Sequence, residues 1–135
     1  MFKKITTILK KFFLATALLQ MILIFSSCRF AHEKHITGRY SIVGIDEKEL
    51  SISYELSSGD YVGKIPGIPI EYGYNDTFLI AKSQEYNKKN TAYYIIDMRN
   101  DSDLAIEETF RIGPISENIF DSVWKQKLKI IMHKI

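Results

Sequence analysis

The stretch Leu50-Ser51-Ile52-Ser53-Tyr54-Glu55-Leu56 is the cleanest alternation in the chain. It places Leu50, Ile52, Tyr54 and Leu56 on one face and Ser51, Ser53 and Glu55 on the other, as a half-buried strand requires. The same two-residue period appears upstream, where Tyr40 and Ile42 alternate with Ser41 and Val43 before Asp46-Glu47 ends the run. Downstream, Ser57-Ser58-Gly59-Asp60 reads as a turn and residues 61–65 as a short strand. Pro66-Gly67-Ile68-Pro69 then interrupts pairing, because proline cannot donate to a strand ladder. Residues 70–74 and 77–82 flank Asn75-Asp76, which predicts a hairpin. Residues 93–98, rich in β-branched and aromatic side chains, read as a central strand, and residues 104–112 as one more, ending at Gly113-Pro114.

The period changes only near the C-terminus. Ser116 suits an N-cap, Glu117 and Asp121 lie toward the positive end of a helix, and Lys125, Lys127 and Lys129 lie toward its negative end. Ile119, Phe120, Val123, Trp124 and Leu128 then form the predicted core-facing stripe of a helix over 116–128. Residues 129–135 continue as a fraying helix end or a last strand. The predicted fold class is α+β: a mostly antiparallel sheet of about six or seven strands, a meander or partly closed barrel, with one C-terminal helix.

The 135 residues are 46% hydrophobic, 25% charged and 13% aromatic with three prolines, a composition that folds and is too short for a multidomain enzyme. The formal charge of +2 is unevenly placed. Lys3, Lys4, Lys10 and Lys11 lie in the first 27 residues, which hold no acid, so the remainder carries 14 basic against 16 acidic residues. A domain near −2 argues against nucleic-acid binding.

Those first residues read as an address. A basic segment precedes 14 apolar residues, Phe12 to Phe25, and then Ser26, Ser27 and Cys28, the plan of a secretory signal peptide. The apolar run is too short for a membrane span. Cys28 is the sole cysteine, so it has no partner for an internal disulfide. Phe25-Ser-Ser-Cys28 resembles the lipobox of bacterial lipoproteins, with phenylalanine where an aliphatic residue is usual. The resemblance implies a lipidated Cys28 at the mature N-terminus and a membrane partner through that anchor. Arg29 rather than aspartate after the cysteine implies, by the same resemblance, an outer-membrane position facing the periplasm in a Gram-negative cell. The expected organisation is a signal peptide at 1–27, a tether at 28–36 and one domain at 37–135.

Candidate chemistry is sparse. His32 and His35 flank Glu33 at i, i+3 spacing, but His133 is the only other histidine and zinc needs three or four converging ligands, so no metal site is expected. There is no nucleophile elbow, no HExxH and no phosphate-cradling glycine loop. Asp46, Glu47, Glu49, Glu107 and Glu108 are the acids that folding could pair for acid–base work, though acids at strand ends are usually solvated. No catalytic residue and no cofactor is expected. Tyr72 and Tyr74, which share a strand face among eight tyrosines, are the candidate ligand-binding residues for stacking on sugar or peptide.

The order of Tyr72-Gly-Tyr-Asn-Asp-Thr-Phe-Leu-Ile-Ala-Lys-Ser-Gln84, Tyr93-Tyr-Ile-Ile-Asp97 and Gly113-Pro-Ile-Ser116 with Phe120 resembles a family of small bacterial domains of unknown function, often lipid-anchored. It spans about 38–130 and carries over no catalytic residue or ligand. The expected function is a membrane-tethered envelope domain without enzymatic activity. It would contact another envelope protein or act as an accessory or immunity-like factor. The alternative is a small carbohydrate- or peptide-binding lipoprotein that uses the tyrosines.

Overall fold

The computed structural model describes residues 13, 16, 32–86 and 88–135. The chain divides into two compact units, Met1–Phe30 and Ala31–Ile135. In the first, Phe13 and Thr16 are helical; the rest of the expected signal peptide, and Cys28, lie outside the described residues. No helix among the described residues is long and apolar enough to cross a membrane.

The second unit carries two antiparallel sheets. The first is a meander of β1 (His32–Thr37), β2 (Tyr40–Gly44), β3 (Leu50–Glu55) and β4 (Tyr61–Gly63). The second contains β5 (Ile68–Tyr74), β6 (Phe78–Gln84), β7 (Thr91–Asp97), β8 (Arg111–Ile115) and the two-residue β9 (His133–Lys134), in the order β8-β7-β6-β5-β9. Two open sheets, not a closed barrel, therefore make up the expected mostly β architecture. Two of these strands lie where the sequence pattern is weakest. β1 occupies most of the expected tether, where its alternation is masked because His32, Glu33, Lys34 and His35 are all exposed on an edge strand. In the tail, only the two residues of β9 are strand, with Tyr72 opposite His133.

Pro66-Gly67 carries the chain from one sheet to the other. Gly67 has φ +78°, and a Cβ there would lie 2.3 Å from the Gln84 carbonyl oxygen, so glycine is required on both counts. In the β5–β6 hairpin, Asn75 Oδ1 accepts from the backbone N–H of Thr77 (2.9 Å) and Phe78 (2.7 Å), the chemistry expected of an asparagine turn.

The sheets pack face to face through Ile36, Tyr40, Ile42, Ile52 and Tyr54 from the first, and Tyr72, Leu79, Ala81, Tyr94 and Ile96 from the second. On the opposite face of the second sheet, Ile80, Tyr93, Ile95 and Ile115 pack under Phe120 and Leu128 of the C-terminal helix. Three layers result, with the second sheet in the middle. Strand β7 is buried on both faces, which is why its sequence is a continuous apolar run rather than an alternation.

Two sequence expectations are corrected. Residues 104–112 do not form one strand: a short helix α1 (Glu107–Phe110) intervenes, and β8 begins at Arg111 and runs through Gly113-Pro114 on the sheet edge, where proline is tolerated. The helix α2 spans Glu117–Ile119, a π-helical segment Phe120–Trp124 and Lys125–Leu128. Ser116 is its N-cap residue in extended conformation but makes no side-chain cap bond. Lys125 N–H donates to the Phe120 carbonyl, the wider π turn. In a regular α-helix, residues four apart drift by about 40° per step. The π turn offsets that drift, so Phe120 and Leu128 are both buried with Trp124 half-buried between them. Ile119 and Val123, predicted to face the core, are turned out to solvent instead. Lys129, in the left-handed conformation, ends the helix.

Candidate functional site

The tyrosines pack first of all as core. Tyr40 and Tyr54 meet edge to face at 5.2 Å, and Phe120 stacks on Tyr93 at 3.9 Å. Tyr72 is only 7% exposed, with Lys34 Nζ 5.3 Å from its ring centre and the His133 ring at 5.8 Å. Tyr74, at the end of the same strand, is 44% exposed. The two therefore do not form a row of exposed rings, although they share a strand face. A cavity of about 310 Å³ opens at the start of β1, lined by His32, Glu33, Lys34, Ile42, Leu50 and Ile135 and by no tyrosine.

The other residues singled out in sequence are dispersed. His32 and His35 stand on β1, and His133 on β9 beside Tyr72. Among the described residues no group of three histidine, cysteine, aspartate or glutamate side chains converges as a metal site would. Asp46 Oδ1 accepts from the N–H groups of Lys48 and Glu49 within the β2–β3 turn, and Glu107 pairs with Arg111 along α1 and β8. Asp46 and Glu107 are thus engaged locally, as solvated turn carboxylates are.

Polar structure concentrates instead at residues 99–103, between β7 and α1. The β7–α1 loop is held to the first sheet by Asp101 and Asp103. Asp101 accepts from Lys64 Nζ at 2.6 Å, from the Tyr40 hydroxyl at 2.6 Å and from the Ser102 N–H at 2.8 Å. The ion pair is out of water, with side-chain exposures of 6% for Lys64 and 0% for Asp101. The Lys64 ammonium also lies 4.9 Å from the Tyr54 ring centre and 4.5 Å from that of Phe110, which supplies further charge stabilisation. Two residues on, Asp103 accepts from the Ser57 N–H at 2.9 Å and from Arg39 at 3.2 Å. Arg111 donates to the Lys64 carbonyl at 2.8 Å and closes the cluster from β8.

The electrostatics follow the burial. Desolvation, and then the hydrogen bond to Asp101, hold the Tyr40 hydroxyl well above the ordinary tyrosine range. The hydrogen bonds from Ser57, and then the nearby Arg39 charge, hold the Asp103 carboxyl below the usual carboxylate range. No buried side-chain polar atom among the described residues lacks a partner. With its buried side-chain donors and acceptors engaged inside the protein, this cluster is built as a clamp on the loop. The loop it clamps presents Leu104 at 93% exposure and Ile106 at 66%. The only advance signal was the spacing of Asp101 and Asp103, which put two carboxylates on one short turn; their partners lie 37 to 64 residues away in the chain.

These features define a small three-layer domain, two antiparallel sheets and the C-terminal helix α2, whose most elaborate polar cluster organises a loop. The chain belongs to the family described as Protein of unknown function (DUF3997), whose model matches residues 37–133. No curated protein and no solved structure matched it.

Proposed function

We propose that this chain is a lipid-anchored protein of the bacterial envelope, held in the membrane through Cys28, and that its domain is a non-enzymatic interaction module of accessory or immunity-like type. The observation that carries the interaction reading is where the apolar side chains stand. Leu104 and Ile106 on a clamped loop, and Ile119 and Val123 on the outer face of α2, are exposed, while most of the described aromatic rings are spent on the core. Exposed apolar groups on ordered elements suit a protein partner. Tyr72, being buried, offers no face to a sugar, which weighs against the alternative carbohydrate- or peptide-binding reading.

The anchor reading rests on the first 28 residues and on the family match, which begins only after them. Acyl chains contribute about 0.8 kcal/mol per buried methylene, so two or more hold a domain of this size on a bilayer. The test is intact-mass measurement of the membrane form beside fractionation of Cys28→Ala. The expected result is a chain that starts at Cys28 with added lipid mass, and a variant that leaves the membrane fraction still folded. A soluble mature product that starts later, or a Cys28→Ala variant that stays membrane-bound, would refute the anchor.

A further inference from the structure

We infer that the cavity beside β1 is a lipid site: the end of the first sheet that carries it rests on the bilayer, and the cavity receives one acyl chain of a membrane phospholipid. The inference rests on the anchor reading above and adds where the membrane meets the domain.

The cavity exists because the inner face of the first sheet runs out of apolar side chains. Lys34 stands opposite Ile42, and His32 stands opposite Gly44, which in turn pairs with Leu50 on β3. A histidine and a glycine thus occupy the last row. The space there stays open at about 310 Å³, the small end of the range for ligand sites. Ile42 and Leu50 line it from the first sheet and Ile135 from the residue after β9. Glu33 turns to the other face, where the Tyr61 hydroxyl donates to it at 2.8 Å. Lys34 makes no ion pair among the described residues, and its ammonium lies 5.3 Å from the Tyr72 ring centre. An apolar slot beside an ammonium without a counter-ion matches a hydrocarbon chain below a phosphate.

Chain length brings the bilayer to this end. Only Arg29, Phe30 and Ala31 separate Cys28 from His32, and four residue steps of about 3.6 Å at full extension span about 14 Å. A lipidated Cys28 therefore keeps His32, part of the cavity wall, within that distance of the membrane. The turn around Ser58, past the far end of β3, is more distant by the six residues of that strand, about 20 Å. The near end also carries exposed apolar side chains: Ile45, directly after Gly44, is 71% exposed and Ile135 is 42% exposed. Lys34 and Lys48 stand there against Glu33, Asp46, Glu47 and Glu49, so charge does not draw this end to an anionic surface. Burial of the apolar groups is what favours the contact.

The test reconstitutes the full lipidated chain, extracted from membranes, in vesicles of phosphatidylethanolamine and phosphatidylcholine. Part of the phosphatidylcholine carries a diazirine near the end of one acyl chain. After irradiation, peptide mass spectrometry should place the lipid adduct on residues 32–50 or on Ile135, and not on residues 57–60. Ile45→Asp and Ile135→Asp, both at exposed positions, should each cut the yield at least about tenfold, because a carboxylate is costly to place in hydrocarbon. Circular dichroism verifies that both variants fold. Adducts spread evenly over the domain, or centred on residues 57–60, would overturn the inference. A yield lowered by Ile45→Asp and unchanged by Ile135→Asp would mean surface contact without entry into the cavity, and would also overturn it. So would no adduct on a chain whose intact mass shows lipid on Cys28, including the case in which the anchor's own acyl chain fills the cavity; the anchor reading would then stand. A mature chain without lipid on Cys28 would remove both.

Discussion

Replacing Asp101 by asparagine tests the clamp most directly. The substitution keeps the shape and one carbonyl acceptor, but removes the charge opposite Lys64 Nζ at 2.6 Å and leaves one oxygen to serve Lys64, Tyr40 and the Ser102 N–H. The ammonium then stays almost fully buried between Tyr54 and Phe110 with no counter-charge. Breaking one partner of a buried pair typically costs about 3–5 kcal/mol, a large share of the roughly 5–15 kcal/mol that holds a domain together. The double variant Asp101→Leu with Lys64→Met removes both charges and should recover part of that loss, because no buried charge is stranded while the Tyr40 hydroxyl and the Ser102 N–H lose their acceptor. Urea denaturation followed by fluorescence of Trp124, the single tryptophan, and by far-ultraviolet circular dichroism measures both variants. Hydrogen exchange supplies the second reading: amides of residues 98–106 should exchange faster in the double variant while those of β6 and β7 stay protected. A cost below about 1 kcal/mol for Asp101→Asn, or a double variant as unstable as the single variants combined, would refute the reasoning.

Phe120→Ala should destabilise by about 3–5 kcal/mol, since the ring is buried and stacked on Tyr93, while the half-buried Trp124 should cost clearly less on the same change; equal costs would contradict the π-turn packing. Tyr40, Tyr93 and Tyr94 are each held above the ordinary tyrosine pKa, chiefly by burial. Their stabilising effect is therefore complete below about pH 10 and is lost as the pH rises from there toward the folded-state values. An ultraviolet phenolate titration should show a late-ionising group of tyrosines that coincides with unfolding, whereas ionisation of all eight together on an intact fold would contradict their burial.

The local elements were legible because their signals are local. The alternation over 50–56 set the inward face of β3, Asn75 wrote its own turn, and the charge gradient over 117–129 marked a helix. Family membership was legible too, through the order of short motifs that the match over 37–133 bears out. β1 escaped because an edge strand with exposed side chains lacks the alternation that burial imposes, and only pairing with β2 defines it. Residues 104–112 have strand propensity, yet the Asp101 and Asp103 contacts divert the chain before Phe110 enters the core. Regular α-helical geometry turns Ile119 and Val123 inward, and the packing of Phe120, Trp124 and Leu128 selects a π turn that sends them outward. Beyond the spacing of Asp101 and Asp103 the clamp has no sequence signature, because its groups come from Arg39, Tyr40, Lys64, Asp101, Asp103 and Arg111 and converge only when the two sheets stack. Pattern along the chain reports which face of an element is apolar; which distant charges share a desolvated site depends on how the layers pack, and that is a property of the tertiary structure alone.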